Sequence, residues 1–119
     1  MGGFDATFSM SAEDRDLCDR WVRSGKQIVF APEILIDHAH RLNWRSYWKQ
    51  HRSYGRGAFQ HYRKGLARPQ PLSFYLRLLL FPFTRETWGS AVRSSFLLGI
   101  AQIATAVGLL QEWANAGDR

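Results

Sequence analysis

The feature that most limits how this chain can fold is an uncharged apolar run near its C-terminal end. Residues 96–110 contain no acidic or basic side chain, and Gln102 and Thr105 are their polar members. With its flanks the segment reaches roughly twenty residues, the length that a helix needs to cross a hydrocarbon core. Trp88 and Trp113 lie where the aromatic residues of a membrane interface are expected. The run therefore predicts a transmembrane helix, with a buried core helix as the alternative.

A second apolar stretch occupies residues 74–83, where Arg77 interrupts it and Pro82 ends it. A helix of that length is too short to cross a hydrocarbon core of roughly 30 Å, so a buried or interfacial helix is expected. We assign residues 69–113 to apolar helices, one interfacial and one transmembrane, and residues 114–119 to a polar tail.

The charges divide the chain unevenly. Residues 1–40 carry four Lys/Arg against seven Asp/Glu, whereas residues 41–93 carry eleven Lys/Arg against Glu86 alone. Basic blocks of this kind meet nucleic acid, anionic lipid or phosphorylated substrates. If the apolar run spans a membrane, the excess of basic residues places residues 1–93 on the cytoplasmic side. The single cysteine, Cys18, excludes an internal disulfide and favours a reducing compartment.

Residues 43–64 show a helical period, with aromatic side chains on one side and basic side chains on the other. The aromatic set includes Trp44, Tyr47, Trp48, Tyr54 and Tyr62, and the basic set is Arg45, Lys49, Arg52, Arg56 and Arg63. Gly55 and Gly57 are expected to weaken or bend this helix by up to ~1 kcal/mol each. We predict a basic amphipathic helix within residues 41–68 that binds anionic lipid. Nucleic-acid binding is the alternative, which the apolar segments that follow disfavour.

The first forty residues predict a small α/β fragment. Ser11 is the expected N-cap of a helix that ends near Ser24, with Gly25 as its stop. Residues 27–31 and 34–37 are expected to form two short strands separated by a proline. The helix is expected to bury an apolar side formed by Leu17, Cys18, Trp21 and Val22.

An acidic pair, Glu13 and Asp14, stands at the start of that helix. By itself the pair complements the positive end of the helix dipole. Its context is more specific, because Gly2-Gly3-Phe4-Asp5 precedes it and His38 follows the second expected strand. This arrangement over about residues 2–40 resembles the C-terminal half of the catalytic domain of family 2 glycosyltransferases. In that family a glycine-rich loop ending in Phe-Asp leads to a Glu-Asp pair, and a strand, a proline and a strand ending in His follow.

The resemblance implies a fold and a location. It implies that the α/β fragment is the C-terminal half of a GT-A, Rossmann-like domain, followed by mostly α-helical, membrane-associated segments at a bacterial inner membrane.

The resemblance also implies roles for individual residues. Asp14 would be the general base that deprotonates the acceptor hydroxyl during an inverting displacement. Glu13 would orient the acceptor or tune Asp14, and the loop of Gly2, Gly3, Phe4 and Asp5 would bind the acceptor. His38 would bind the divalent metal, Mn²⁺ or Mg²⁺, that holds the nucleotide diphosphate.

The histidines leave an alternative open. His38 and His40 would point the same way on a strand, so a structural role in hydrogen bonding to the backbone is possible. Zinc binding with Cys18 is disfavoured, because no fourth ligand has a recognisable spacing.

The nucleotide-binding half of the family's catalytic domain, with its Asp-x-Asp motif, is absent from this sequence. We therefore expect a fragment of a longer enzyme, truncated or encoded separately, that is not active alone. Nucleotide-sugar and acceptor would bind only together with the missing half. The alternative from another class is a non-enzymatic, membrane-anchored module that binds anionic lipid or a partner through its basic aromatic helix.

Overall fold

The computed structural model describes residues 2–8, 11–37, 42–65 and 68–117. The helices are α1 (Glu13–Arg23), α2 (Trp44–Arg63), α3 (Leu72–Leu80) and α4 (Trp88–Gly117), and a 3₁₀ turn (Phe81–Thr84) follows α3. The molecule measures 47 × 45 × 30 Å, and its main packing contact joins α2 to α4.

The α/β expectation is wrong for this chain, since none of its described residues forms a strand. Residues 27–31 and 34–37 lie in the connection between α1 and α2, where Ile34 N donates to Ala31 O across a turn at 3.1 Å. Their apolar side chains remain exposed, with Phe30 at 86%. A strand needs a neighbour whose backbone N–H and C=O groups it can pair with. The described part of the chain supplies no such neighbour, so the apolar pattern of these residues does not lead to a strand.

Helix α1 begins one residue later than the sequence predicts. Its N-cap is Ala12, in the left-handed region with φ 75°, and no side chain caps the helix. Ser11 is not the cap, because its hydroxyl donates to Ser53 O of α2 at 2.8 Å. Gly25 ends the helix as predicted, with φ +80° and its N–H donating to Val22 O at 3.0 Å.

The predicted apolar side of α1 is also wrong. Trp21 and Val22 are 38% and 54% exposed, and Cys18 is exposed. The buried residue of the helix is instead Asp16, at 2% exposure. Asp16 binds Arg20, which lies one turn further along the helix, with 2.8 Å between Oδ2 and Nε. This end of the molecule is therefore held by polar contacts.

Helices α2 and α4 run parallel and side by side. The Tyr47 hydroxyl donates to Leu97 O at 3.0 Å, and Arg52 Nε donates to Gln111 Oε1 at 2.8 Å. Since both contacts advance along the chain in the same order, the two helices point the same way. Asn43 caps α2 through a capping box with Ser46, as expected for the start of a stable helix.

Glycines allow the close approach of α2 and α4. A β-carbon on Gly55 would overlap the carbonyl of Thr105, and one on Gly108 would overlap the carbonyl of Arg52. Helix α2 runs without interruption through Gly55 and Gly57. Gly55 thus has a packing role besides its expected effect on helix propensity. With a larger residue at position 55 or 108, α2 and α4 could not approach so closely.

Helix α3 and the 3₁₀ turn pack on the first third of α4. Ser95 Oγ donates to Leu79 O at 2.7 Å, and the rings of Phe83 and Trp88 lie 5.2 Å apart. Helix α4 is long and apolar enough to cross a membrane, and only 17% of its most apolar window is buried. A core helix of a soluble protein is mostly buried, so this exposure disfavours the alternative of a buried core helix.

Candidate functional site

The acidic pair occupies the first two positions of α1. Glu13 and Asp14 are exposed there. Asp14 Oδ1 accepts a hydrogen bond from Arg15 N at 2.7 Å. The turn that delivers them passes through Ala12, whose left-handed conformation costs a residue with a β-carbon about 1 kcal/mol. Such strain persists only where surrounding contacts hold it, and it concentrates at functional sites.

The pair lines an open cleft of about 580 Å³ between the head of α1 and the first half of α2. The other lining residues are Ser11, Ala12, Leu42, Ser46, Lys49, Gln50, Ser53 and Tyr54. Hydroxyl, amide and ammonium groups therefore face two carboxylates across the cleft. Such a surface offers both donors and acceptors to a ligand rich in hydroxyl groups.

A close helix contact holds the head of α1 at the cleft. A β-carbon on Gly57 would overlap both the hydroxyl and the carbonyl oxygen of Ser11. The hydroxyl of Ser11 in turn donates to Ser53 O, one turn earlier on α2. The positions of Glu13 and Asp14 thus depend on a small residue at position 57.

The loop before α1 is tied to the end of α2 through Asp5. Its carboxylate accepts from Lys64 Nζ at 2.5 Å, and from Thr7 N and Thr7 Oγ1 at 2.9 and 2.7 Å. The hydrogen bond from Lys64, followed by those from Thr7, holds the pKa of Asp5 well below its usual value of 3.8. Lys64 Nζ also lies 4.0 Å from the ring centroid of Phe8, which is buried. Asp5 is thus occupied in shaping its own loop.

The glycines of the loop take conformations with positive φ, 27° at Gly2 and 69° at Gly3. The Gly3 carbonyl accepts from Arg20 Nη2 at 2.7 Å. Phe4 is 62% exposed. The loop is therefore attached to the same helix that carries the acidic pair, whereas acceptor binding by these residues stays a prediction.

Sequence reasoning missed the residue that joins α1 to the end of α2. His61 is 1% exposed, and its Nε2 lies 3.1 Å from Asp19 Oδ2. His61 Nδ1 is buried without a hydrogen-bond partner in the described part of the chain. A signal existed, since Ser53, Gly57 and His61 recur every fourth residue on one side of α2.

The predicted metal ligand, His38, lies outside the described residues, as does His40. Within the described ranges no three His, Cys, Asp or Glu side chains come together in a way that could hold a metal ion. The metal role of His38 therefore stays a prediction.

The basic side of α2 is divided in the structure. Arg52 binds Gln111, and Arg56 forms an ion pair with Glu112 of α4. Arg45, Lys49 and Arg63 remain exposed. The charges predicted to form one solvent-facing surface thus serve partly to attach α2 to α4.

Comparisons with known proteins identify a family and two similar proteins. The family described as "Glycosyl transferase family group 2" matches residues 1–114. Two similar curated proteins, each named pre-mycofactocin glycosyltransferase, come from two strains of Mycobacterium tuberculosis. Each is 38% identical over 58 residues, which cover 49% of this chain and 12% of the relative. The match thus spans only a small part of each relative's length.

No solved structure matches the chain significantly. The family match nevertheless covers nearly the whole sequence, including the loop, the acidic pair, the cleft and most of α4. The chain belongs to glycosyl transferase family group 2.

Proposed function

We propose that this chain supplies the acceptor side of an inverting glycosyltransferase that works at a membrane, with Asp14 as general base. The observation that carries the proposal is the exposure of Glu13 and Asp14 on an open, polar cleft at the head of α1. The family membership supports sugar transfer as the reaction class.

The chemistry needs a carboxylate at this position. An acceptor hydroxyl is a poor nucleophile until its proton is removed in the transition state. Asp14 takes that proton as the hydroxyl oxygen forms a bond to the sugar carbon of a nucleotide-sugar. The bond from that carbon to the nucleotide diphosphate breaks, and the leaving group departs with its electron pair. Glu13 and Lys49 hold further polar groups of the acceptor in the cleft.

Donor binding is assigned to sequence outside this chain. The family resemblance implies a divalent metal, Mn²⁺ or Mg²⁺, which would neutralise the charge of the leaving diphosphate. The described residues present no ligand set for such an ion, and His38 lies outside them. No step of the proposed mechanism is therefore assigned to a metal ligand of this chain.

The test is Asp14→Asn in the enzyme that contains this chain. The substitution keeps the size of the side chain but removes the base, so sugar transfer should fall by ~100- to 10,000-fold while affinity for the nucleotide-sugar stays unchanged. Glu33→Gln is the matched control, because Glu33 is exposed on the connection between α1 and α2 and does not line the cleft. Transfer retained by Asp14→Asn would remove the assignment.

Membrane association is the second part of the proposal. Its support is the exposure of apolar side chains on α3 and α4, among them Leu76 (53%), Leu80 (62%) and Ile103 (59%). At the inner membrane, residues 1–93 would then lie on the cytoplasmic side. Flotation of the full chain with vesicles containing phosphatidylglycerol tests this part, and recovery in the soluble fraction would contradict it. If the chain floats with the vesicles but the protein that contains it transfers no sugar, the alternative of a non-enzymatic membrane module is favoured instead.

A further inference from the structure

We infer that α4 lies along the membrane surface instead of crossing the membrane, with α2 and the carboxylate cleft on its aqueous side. The inference rests on the membrane association proposed above and concerns the orientation of α4. It replaces the transmembrane arrangement that the length and composition of the helix predict.

The first argument is the position of α2. Contacts from Tyr47 to Leu97, from Gly55 to Thr105 and from Arg56 to Glu112 place α2 alongside residues 97–112 of α4. This is the segment that a spanning helix would place inside the hydrocarbon. Helix α2 must lie at the same depth in the membrane as these residues of α4, because the two helices touch along their backbones.

The second argument is the chemistry of α2 at that depth. Lys49 is exposed and lies between Tyr47 and Arg52, whose partners on α4 are Leu97 and Gln111. A spanning α4 would put Lys49 near the middle of the bilayer. Charged groups on a lipid-facing surface at that depth are strongly disfavoured.

A spanning α4 would also place the carboxylate cleft inside the bilayer. Glu13 and Asp14 line it together with Lys49 and Gln50. Beside a spanning α4 this cleft would open among acyl chains, where carboxylates and amides find no hydrogen-bond partners. With α4 parallel to the surface, α2 covers the aqueous side of α4, and the cleft opens to water on the far side of α2.

The third argument is the apolar face that α4 turns away from α2. Its members share one side of the helix and are 41–66% exposed: Val92, Ile103, Val107, Leu110 and Trp113. We call these five residues the outer stripe. The opposite side carries the buried small residues that meet α2, Ala101, Ala104 and Gly108. A helix that is apolar on one face and covered by a polar helix on the other suits the plane of an interface.

Exposed arginines in the apolar segments favour an anionic lipid leaflet as the occupant of the outer stripe. Arg77, Arg85 and Arg93 are exposed on α3, the following turn and α4, and none forms an ion pair within the described residues. Trp88 and Trp113 are 78% and 66% exposed near the two ends of α4. Arginines attract anionic head groups, and tryptophans prefer the level of the head groups.

The test compares the sidedness of the two ends of α4. Gly89→Cys and Gly117→Cys are introduced separately into the full chain carrying Cys18→Ser, since a side chain at either glycine meets open space. A membrane-impermeant maleimide is applied to spheroplasts and to inverted membrane vesicles. The inference expects both variants to label in inverted vesicles and neither to label in spheroplasts. Cys18→Ser alone provides the blank.

Other results would overturn the inference. Labelling of one end in spheroplasts and the other in inverted vesicles means that α4 crosses the membrane. Protection of both ends until detergent is added means that both are embedded. I103C in the same background would assign the outer stripe to a second copy of the chain if it formed a cross-linked dimer. Full recovery of the chain in the soluble fraction would contradict membrane association itself, without bearing on the Asp14→Asn test of sugar transfer.

Discussion

His61 of α2 and Asp19 of α1 meet at 3.1 Å, between Nε2 and Oδ2, although the histidine is almost completely buried. The pair joins α1 to the last turn of α2, beyond the carboxylate cleft that the head of α1 forms with the first half of α2. Truncating a large buried side chain leaves a cavity and, here, removes the partner of Asp19.

We therefore expect His61→Ala to lower the free energy of unfolding by about 3 kcal/mol. Chemical denaturation of the purified chain, followed by circular dichroism, measures the change. Asn115→Ala is the control, because Asn115 is exposed on α4. Equal stability of the two variants would show that the buried histidine contributes nothing to the contact between α1 and α2.

Gly57→Ala should disturb the head of α1. The new methyl group would overlap the hydroxyl and carbonyl oxygens of Ser11, so the backbone before Glu13 must move. Overpacking of this kind costs roughly 1–3 kcal/mol. Gly89→Ala is the matched control, since nothing lies near a β-carbon there. In the complete enzyme, Gly57→Ala should also reduce transfer, whereas unchanged stability and transfer would contradict the close contact.

Gly108→Ala should separate α2 from α4. A β-carbon at this position overlaps the Arg52 carbonyl, which belongs to backbone and cannot rotate away. We expect a loss of stability despite the gain in helix propensity. Gly99→Ala, in the same helix but with open space, should instead raise stability by up to ~1 kcal/mol. Thermal unfolding of both variants is measured in the same detergent. Melting temperatures that shift in the same direction in the two variants would contradict the packing role of Gly108.

The Asp5–Lys64 contact should make stability depend on acidity. The pKa of Asp5 is lower in the folded chain than its usual 3.8, mainly because Lys64 hydrogen-bonds to the ionised form. Below that value the unfolded chain binds more protons than the folded chain, so this contribution is present above pH 3.8 and is lost as the pH falls. Because the Asp5 side chain is 33% exposed to solvent, the effect should be small.

The measurement is the slope of unfolding free energy against pH between about pH 5 and pH 3. Asp5→Asn should show a shallower slope than the wild-type chain, and Lys64→Met should do the same. Asp37→Asn, an exposed carboxylate in the connection before α2, is the control. If the slope is the same in Asp5→Asn and in the wild-type chain, the lowered pKa of Asp5 is contradicted.

Helix positions could be predicted from the sequence, because their signals are local. Asn43 and Ser46 form the capping box of α2, and Gly25 stops α1 with a positive φ. The resemblance to the family was also readable, since the spacing of the acidic pair from the glycine loop is a property of the chain itself, whereas the catalytic role of the pair stays a prediction. The family prediction made from these residues is confirmed by the match over residues 1–114.

The strands could not be predicted correctly from their apolar pattern. Phe30 and its neighbours have the residue types of a strand but no neighbouring strand among the described residues. The burial of Asp16 was equally hidden, because it depends on Lys64, whose Nζ lies 3.8 Å from Asp16 Oδ1 although 48 positions separate the two in the chain. The cleft likewise combines α1 with a helix that begins 31 residues later.

By itself, the sequence determined what acts over a few residues: roughly where the helices lie, which segment is apolar enough for a membrane, and which residues resemble the family. The tertiary structure decided what depends on partners distant in the chain. It left residues 27–37 without a neighbouring strand among the described residues, turned Gly55 and Gly108 into contact points, and laid polar α2 along the apolar segment of α4. Backbone pairing and close packing need two surfaces, and a local pattern describes only one of them.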